Sequence, residues 1–488
     1  MRIFNPFRRK AGDARQMPPR VSSAQWVLAA LPVGLAAVTN ELIDYRSLAL
    51  MTQLCAVVSL LLLILVTREA VGARVIGKCL LIAGVFVFFW VDAVSLSLQP
   101  VPFAVPEGFP ISANQFNQEL VRQGLLYVSV FQLMALVGYS VRPQLDKPLM
   151  FLATRIDSMS FNRTILGLML VLCAVLPLVL YFNFDFDKII TTLIASRNGT
   201  DFDAPEPGLA QHLALFGIYG SSLFFVYALK TSTWRRLWWL FLGAIAALPF
   251  LSVGTRHIWL YISLPSIVII LRGLKDSSKR LNLLQLAGAV ILFLLVAQAQ
   301  FAYRSIGWGA KNAPVRDLTQ LNTNGHFTAL LFAEYLVPYQ HPYFRETSEF
   351  YFLIHWIPRQ VWPQKPIMES WAYYNDSYVQ GASFNVTPSV IGQFHMNWGF
   401  WGVLFIGAWL GLLTMFADRL IMLLETARQR AMFVVVGMFY AFILSSYRIY
   451  SPVYFSYVMF GVMVMFMLTR RRRFRMLLMP QVPEAARI

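Results

Sequence analysis

Charge is what this chain has least of. Only 13% of its 488 residues are Asp, Glu, Lys or Arg, against 57% hydrophobic. Soluble chains carry about a quarter charged residues, so a large soluble domain is excluded. Cysteine is scarce as well. Cys55, Cys79 and Cys173 fall in apolar segments without metal-ligand spacing, which excludes a disulfide frame and a thiolate zinc site. They read as small buried apolar residues. Nucleotide and metal signatures are missing: no Walker P-loop, no Gly-x-Gly-x-x-Gly after a strand, no His-Glu-x-x-His and no Cys-x-x-Cys. Asp185-Phe-Asp187 and Asp201-Phe-Asp203 stand apart from other ligand types. NTP-driven and metal-driven chemistry are disfavoured, no metal ligands are assigned, and no cofactor is expected. The alternating ten-residue strands of a membrane barrel are absent. So is the internal repeat that would mark a repeat-built transporter.

What is present is apolar sequence in blocks near twenty residues, enough for a helix to cross about 30 Å of hydrocarbon. The fold class read from this is all-α: a polytopic integral membrane protein of about twelve transmembrane helices. Residues 1–23 form a basic cytoplasmic tail, 24–303 hold spans one to nine, 304–397 form a large periplasmic loop, 398–469 hold spans ten to twelve, and 470–488 form a second basic tail. The formal net charge is +17. No basic helix or nucleic-acid fold accompanies it, so nucleic acid is not an expected partner. Basic residues mark cytoplasmic loops instead. With both termini inside, the inside segments hold 29 Lys/Arg against 8 Asp/Glu, and the outside segments 12 against 15. That asymmetry supports an N-in, C-in orientation.

Outside arginines then run against the bias, and each needs a reason. Arg256 lies in SVGTRH, Arg304 ends the ninth span, Arg359 and Lys365 lie in HWIPRQVWPQKP, and Arg448 lies in SSYRIYSP. Arginines at helix ends can simply snorkel to headgroups. As a set on one membrane face they suit a phosphate or diphosphate ester, whose oxygens the planar guanidinium holds bidentately. The loop is expected to form short helices lying on the outer face. Candidate bases beside it are Glu334 in FAEYLVPY and His395 in IGQFHMNWG, with His355 and His257 behind them and His326 weaker still. Asp92 sits within a span, which makes it a functional candidate by default. The loop is also dense in aromatics. Rings such as Trp356, Trp362 and Trp371 either belong to an interfacial belt or, with the amides and carboxylate of WAYYNDSYVQGASFN, offer a sugar both a flat face and polar partners.

One stretch carries a family resemblance. Ile357-Pro-Arg-Gln-Val-Trp-Pro-Gln-Lys-Pro366 resembles the IPRxxWPxKP signature of bacterial oligosaccharide repeat-unit polymerases, the Wzy-type O-antigen polymerases. TPSVIGQFHMNWGFWG (387–402) is similar to that family's segment entering the span after the large loop, and SVGTR (252–256) to its short arginine turn. The resemblance implies a GT-C-like membrane fold and a metal-independent glycosyltransferase of the bacterial inner membrane. Its donor and acceptor would be oligosaccharides linked to undecaprenyl diphosphate. A chain-length-determining co-polymerase and a flippase would be its partners, and O-antigen for lipopolysaccharide its product. Arg256, Arg304 and Arg359 would hold the diphosphates, with Arg448 and Lys365 as second choices. Glu334 or His395 would be the base, and Trp356, Trp362 and Trp371 would line the sugar groove. Two rival readings stand: an O-antigen ligase moving finished glycan to lipid A core, and a lipid-linked oligosaccharide flippase or exporter.

Overall fold

The structure is a computed structural model. It describes residues 20–38, 44–73, 76–105, 111–141, 216–228, 233–247, 261–266, 325–346, 369–378, 387–423 and 430–448, with isolated positions at 18, within 168–185 and at 362–364. Its helices are α1 (Ser23–Val38), α2 (Tyr45–Ala73), α3 (Gly77–Ser97), α4 (Gln118–Ser140), α5 (Phe216–Ala228), α6 (Thr233–Ala247), α7 (His326–Leu336), α8 (Glu369–Tyr378), α9 (Ser389–Leu423) and α10 (Arg430–Ser446). Among the described residues there is no strand, only a bridge between Ala104 and Gln115.

Among the described residues four helices are long and apolar enough to cross a membrane: Tyr45–Ala70, Gly77–Ser97, Gln118–Ser140 and Ser389–Met422. The chain is therefore an all-α membrane protein. Residues 267–303, read as part of the block of spans one to nine, and 449–469, at the end of the block of spans ten to twelve, lie outside the described residues. On α2 the sequence shows directly how a span sorts its faces. Leu50, Leu54, Val57, Leu61 and Ile64 recur every three or four residues and stay exposed. That is the stripe a helix presents to lipid. The opposite stripe, Cys55, Ser59, Leu62 and Val66, is buried.

The tightest pairing is α4 against α9, and small residues make it. A Cβ on Gly138 would lie 1.9 Å from the Ala408 carbonyl oxygen, and one on Gly411 would lie 2.0 Å from that of Ala135. Only hydrogen fits at these points, so the two backbones meet directly, as small residues allow between membrane helices. α3 is interrupted near its centre by a π-helical turn, Phe86–Trp90.

α9 is not one straight rod. Gly399 has φ 59° and ψ −143°, a left-handed backbone that favours glycine. The rings of Phe394 and Phe405 lie 6.1 Å apart, although eleven residues of straight helix would separate them by about 16 Å. The chain folds back at Gly399 into a short leg, residues 389–398, and a long leg, residues 400–423.

This changes the picture of the 304–397 loop. Short helices were expected there, and one of them, α7, is buried from Phe327 to Glu334 and packs among α3, α4 and α9. The short leg is buried too, at Val390, Ile391 and from Gln393 to Asn397. Both segments are apolar enough to be held inside the bundle rather than on it. Loop backbone anchors the hairpin turn: Phe344 N–H donates to the Met396 carbonyl at 3.1 Å and Arg345 N–H to that of Asn397 at 3.1 Å. Trp398 Nε1–H donates to the Glu346 carbonyl at 3.2 Å.

Candidate functional site

Buried polar groups gather at two ends of this bundle. At the first end Asp418, on the long leg of α9, is fully buried. Its carboxylate accepts from Gly77 N–H at 3.0 Å, Lys78 N–H at 3.2 Å, Tyr139 Oη–H at 2.8 Å and Tyr440 Oη–H at 2.5 Å. Ile76 at the start of α3 supplies no side-chain cap, so Asp418 satisfies that helix's orphan amides from across the bundle. Beside it the Lys78 ammonium pairs with Glu69 at 2.6 Å and donates to Gln25 Oε1 at 3.3 Å. This network ties α1, α2, α3, α4, α9 and α10 together.

At the other end stands Glu334, on α7. The helix begins without a side-chain cap at Gly325. Its first free amides, Phe327 N–H and Thr328 N–H, donate to Asp92 Oδ2 at 2.8 and 2.9 Å. A Cβ on Gly325 would collide with Asp92 Oδ1 at 1.8 Å. Asp92 thus serves α7 as a cap reaching over from α3. Two turns along, Glu334 is fully buried, and neither carboxylate oxygen has a hydrogen-bond partner among the described residues. Burial, and then the charge of Glu119, hold its carboxyl well above the usual carboxylate range.

His395, on the short leg of α9, reaches the same α7 segment. Its Nε2 lies 2.8 Å from the Val337 carbonyl oxygen. A carbonyl can only accept, so Nε2 carries the proton. In the neutral ring Nδ1 is then a bare lone pair, and it is buried with no partner among the described residues. The Tyr127 ring lies 5.1 Å from the imidazole and the Tyr343 ring 5.9 Å from it. Gln123 Nε2–H donates to Tyr127 Oη at 2.5 Å. Val337, whose carbonyl holds the imidazole, stands three residues past Glu334 at the end of the same helix. Glu334, His395, Tyr127 and Tyr343 therefore form one cluster, enclosed by α4, α7 and the α9 hairpin. The two acid–base candidates come together, although 61 residues separate them in the sequence.

Tyr127, Gln123 and Tyr343 were not among the expected site residues. One signal did exist: Gln123 and Tyr127 stand four apart, on one face of an apolar helix. Arg256, Arg304, Trp356, Arg359 and Lys365 lie outside the described residues. Trp371 lies on α8, whose first amides, Glu369 N–H and Ser370 N–H, are capped by the Glu346 carboxylate. Trp362 is 37% exposed.

Arg448 follows directly on the packed end of α10. α10 ends at Ser446, and the Tyr447 ring stacks on Phe88 at 5.7 Å and meets Phe131 edge-on at 6.1 Å. Those phenylalanines are near-central in the spans Gly77–Ser97 and Gln118–Ser140. The backbone at 447–448 therefore lies near half-depth in the bundle.

Comparison with family models, with curated proteins and with solved structures finds no match to this chain.

Proposed function

We propose that this chain is a glycosyltransferase that joins undecaprenyl-diphosphate-linked oligosaccharide repeat units, at the periplasmic face of a bacterial inner membrane, into O-antigen or a related surface polysaccharide. The observation that carries the reading is two incomplete buried groups: His395 with Nδ1 bare, held on the Val337 carbonyl three residues past Glu334, and Glu334 with both oxygens unpaired among the described residues. Buried polar atoms without partners are rare. At an ionisable pair of this kind they mark groups that a substrate could complete. The IPRQVWPQKP stretch supplies the substrate class.

In the step proposed, a hydroxyl of the acceptor sugar attacks the anomeric carbon of the donor chain. The new C–O bond forms as the bond from that carbon to the diphosphate oxygen breaks. Undecaprenyl diphosphate leaves with the electron pair, and the hydroxyl proton passes to His395 Nδ1. Tethering of Nε2 by the Val337 carbonyl holds the ring in the accepting tautomer. The neutral Glu334 carboxyl then offers the imidazolium a polar partner through its carbonyl oxygen. The donor is already activated, so the step calls for no cofactor. The Asp418 network favours this over a flippase. Alternating access would have to open an end where six helices are joined through satisfied buried bonds.

The test is reconstitution of the full chain with lipid-linked repeat units, read as a glycan ladder. Wild-type protein should build long chains on the lipid, and His395→Ala and Glu334→Gln should stop at single units. Ladders of normal length from both variants would sink the reading. Transfer of finished chains to lipid A core without elongation would assign the ligase instead.

A further inference from the structure

We infer that Arg448 and His326 form an oxyanion-binding site at half-depth in the bundle, built for a phosphate or diphosphate group and separate from the Glu334–His395 cluster. His326 opens α7, eight residues before Glu334, or about 12 Å along the helix. Its ring lies 4.9 Å from Phe88 and 6.2 Å from Phe89. Phe88 carries Tyr447 on its other side at 5.7 Å, and Tyr447 leads directly into Arg448. The Arg448 charge acts on His326. Three elements are thus drawn to one place: the start of α7, the end of α10 and the π-helical turn of α3. Such turns recur at functional sites.

The polar groups here are incomplete. His326 Nε2 is buried without a hydrogen-bond partner among the described residues. The Arg448 guanidinium forms none of the ion pairs found there; its one bond is from the backbone, Arg448 N–H to the Ser445 carbonyl at 3.2 Å. Asp92, the acid on the adjoining stretch of α3, has its Oδ2 committed to the amides of Phe327 and Thr328. A cation inside a membrane bundle with no ion pair among the described residues is a candidate ligand site. Yet this is no sealed core. Phe88, His326 and Arg448 all keep part of their surface accessible.

Two helix starts close on this place. α7 begins at His326, its first amides taken by Asp92, and the short leg of α9 begins at Ser389, where Val390 N–H donates to the Tyr447 carbonyl at 3.2 Å. An anion with several oxygens would take the guanidinium fork and a hydrogen bond from His326 together. A single carboxylate would engage fewer of these groups. The choice of a diphosphate as probe rests on the glycosyl-transfer reading; the anion site does not.

The experiment titrates the full-length protein in detergent with geranylgeranyl diphosphate, inorganic pyrophosphate and geranylgeraniol, by calorimetry. Wild-type protein should bind at least one diphosphate and not the alcohol. Binding of the lipid alone assigns the site to a headgroup, and binding of both assigns it to the shared anion; each supports the inference. Arg448→Gln should weaken binding about 10- to 100-fold, and Arg448→Lys should restore part of it. His326→Ala should weaken it less. The unfolding midpoint of ligand-free Arg448→Gln should equal or exceed wild type, because a partly buried charge with no ion pair among the described residues has been removed. Glu334→Gln should bind normally, which separates this site from the transfer chemistry: if no ladder is ever made, the binding result still stands. Failure of wild type to bind either diphosphate overturns the inference, as does unweakened binding by Arg448→Gln.

Discussion

The two ends of the bundle treat buried charge in opposite ways. At the Asp418 end each ionised group is matched: four donors converge on one carboxylate, and Lys78 has Glu69 and Gln25. At the Glu334 end the carboxylate and the histidine nitrogen have no partners among the described residues. Both ends are equally buried, so burial alone does not separate a structural group from a chemical one. The difference lies in whether the protein itself completes the hydrogen bonds. Where it does, the network joins helices. Where it does not, a ligand is the missing partner.

The comparison can be broken most sharply at His395. His395→Ala should lower turnover about 100- to 10,000-fold, the range for a lost general base, with the unfolding midpoint near wild type. Loss of folding rather than turnover would make His395 a structural group and erase the contrast. Next is Asp418→Ala, which strands four donors and should cost about 3–5 kcal/mol in detergent unfolding. A cost below about 1 kcal/mol would show the network to be dispensable.

Gly399→Ala comes third. A left-handed backbone costs an L-residue about 1–2 kcal/mol, and the new Cβ would press on Tyr343 at 3.1 Å. It should lower activity with stability, because the hairpin carries His395. Unchanged activity would separate the hairpin from the site.

Glu334→Gln sharpens the contrast through pH. Burial raises the folded carboxyl above its unfolded value, so the folded state holds a proton that the unfolded state releases. The native chain therefore loses stability as pH rises from about 4.3 to the folded value. The amide variant has no such loss. The stabilisation of Glu334→Gln over wild type should grow across that window, measured as the unfolding midpoint against pH. A difference independent of pH would mean that Glu334 is not held protonated. The smallest effect belongs to Trp362→Ala. The ring is 37% exposed, so stability should move by no more than about 0.5 kcal/mol. A change confined to KM would mark it as a sugar contact.

Much of this molecule is legible in one dimension. The apolar blocks determine that it is helical and crosses a membrane, because hydrocarbon leaves backbone amides no partner but their own helix. The two faces of α2 can be read from Leu50, Leu54, Val57, Leu61 and Ile64 alone. Glu334 and His395 stand out as ionisable residues in apolar surroundings. What no local pattern contains is which distant atom completes a helix end. α3 and α7 both start without a side-chain cap of their own. The carboxylates that serve them, Asp418 and Asp92, come from 341 and 235 residues away. The depth of Arg448 is likewise set by Tyr447 packing on Phe88 and Phe131, not by its place after a span. The fold-back at Gly399 has the same origin. Glycine permits a left-handed backbone without requiring it, and it is the packing of the short leg against Tyr127, α7 and the Tyr447 carbonyl that selects it.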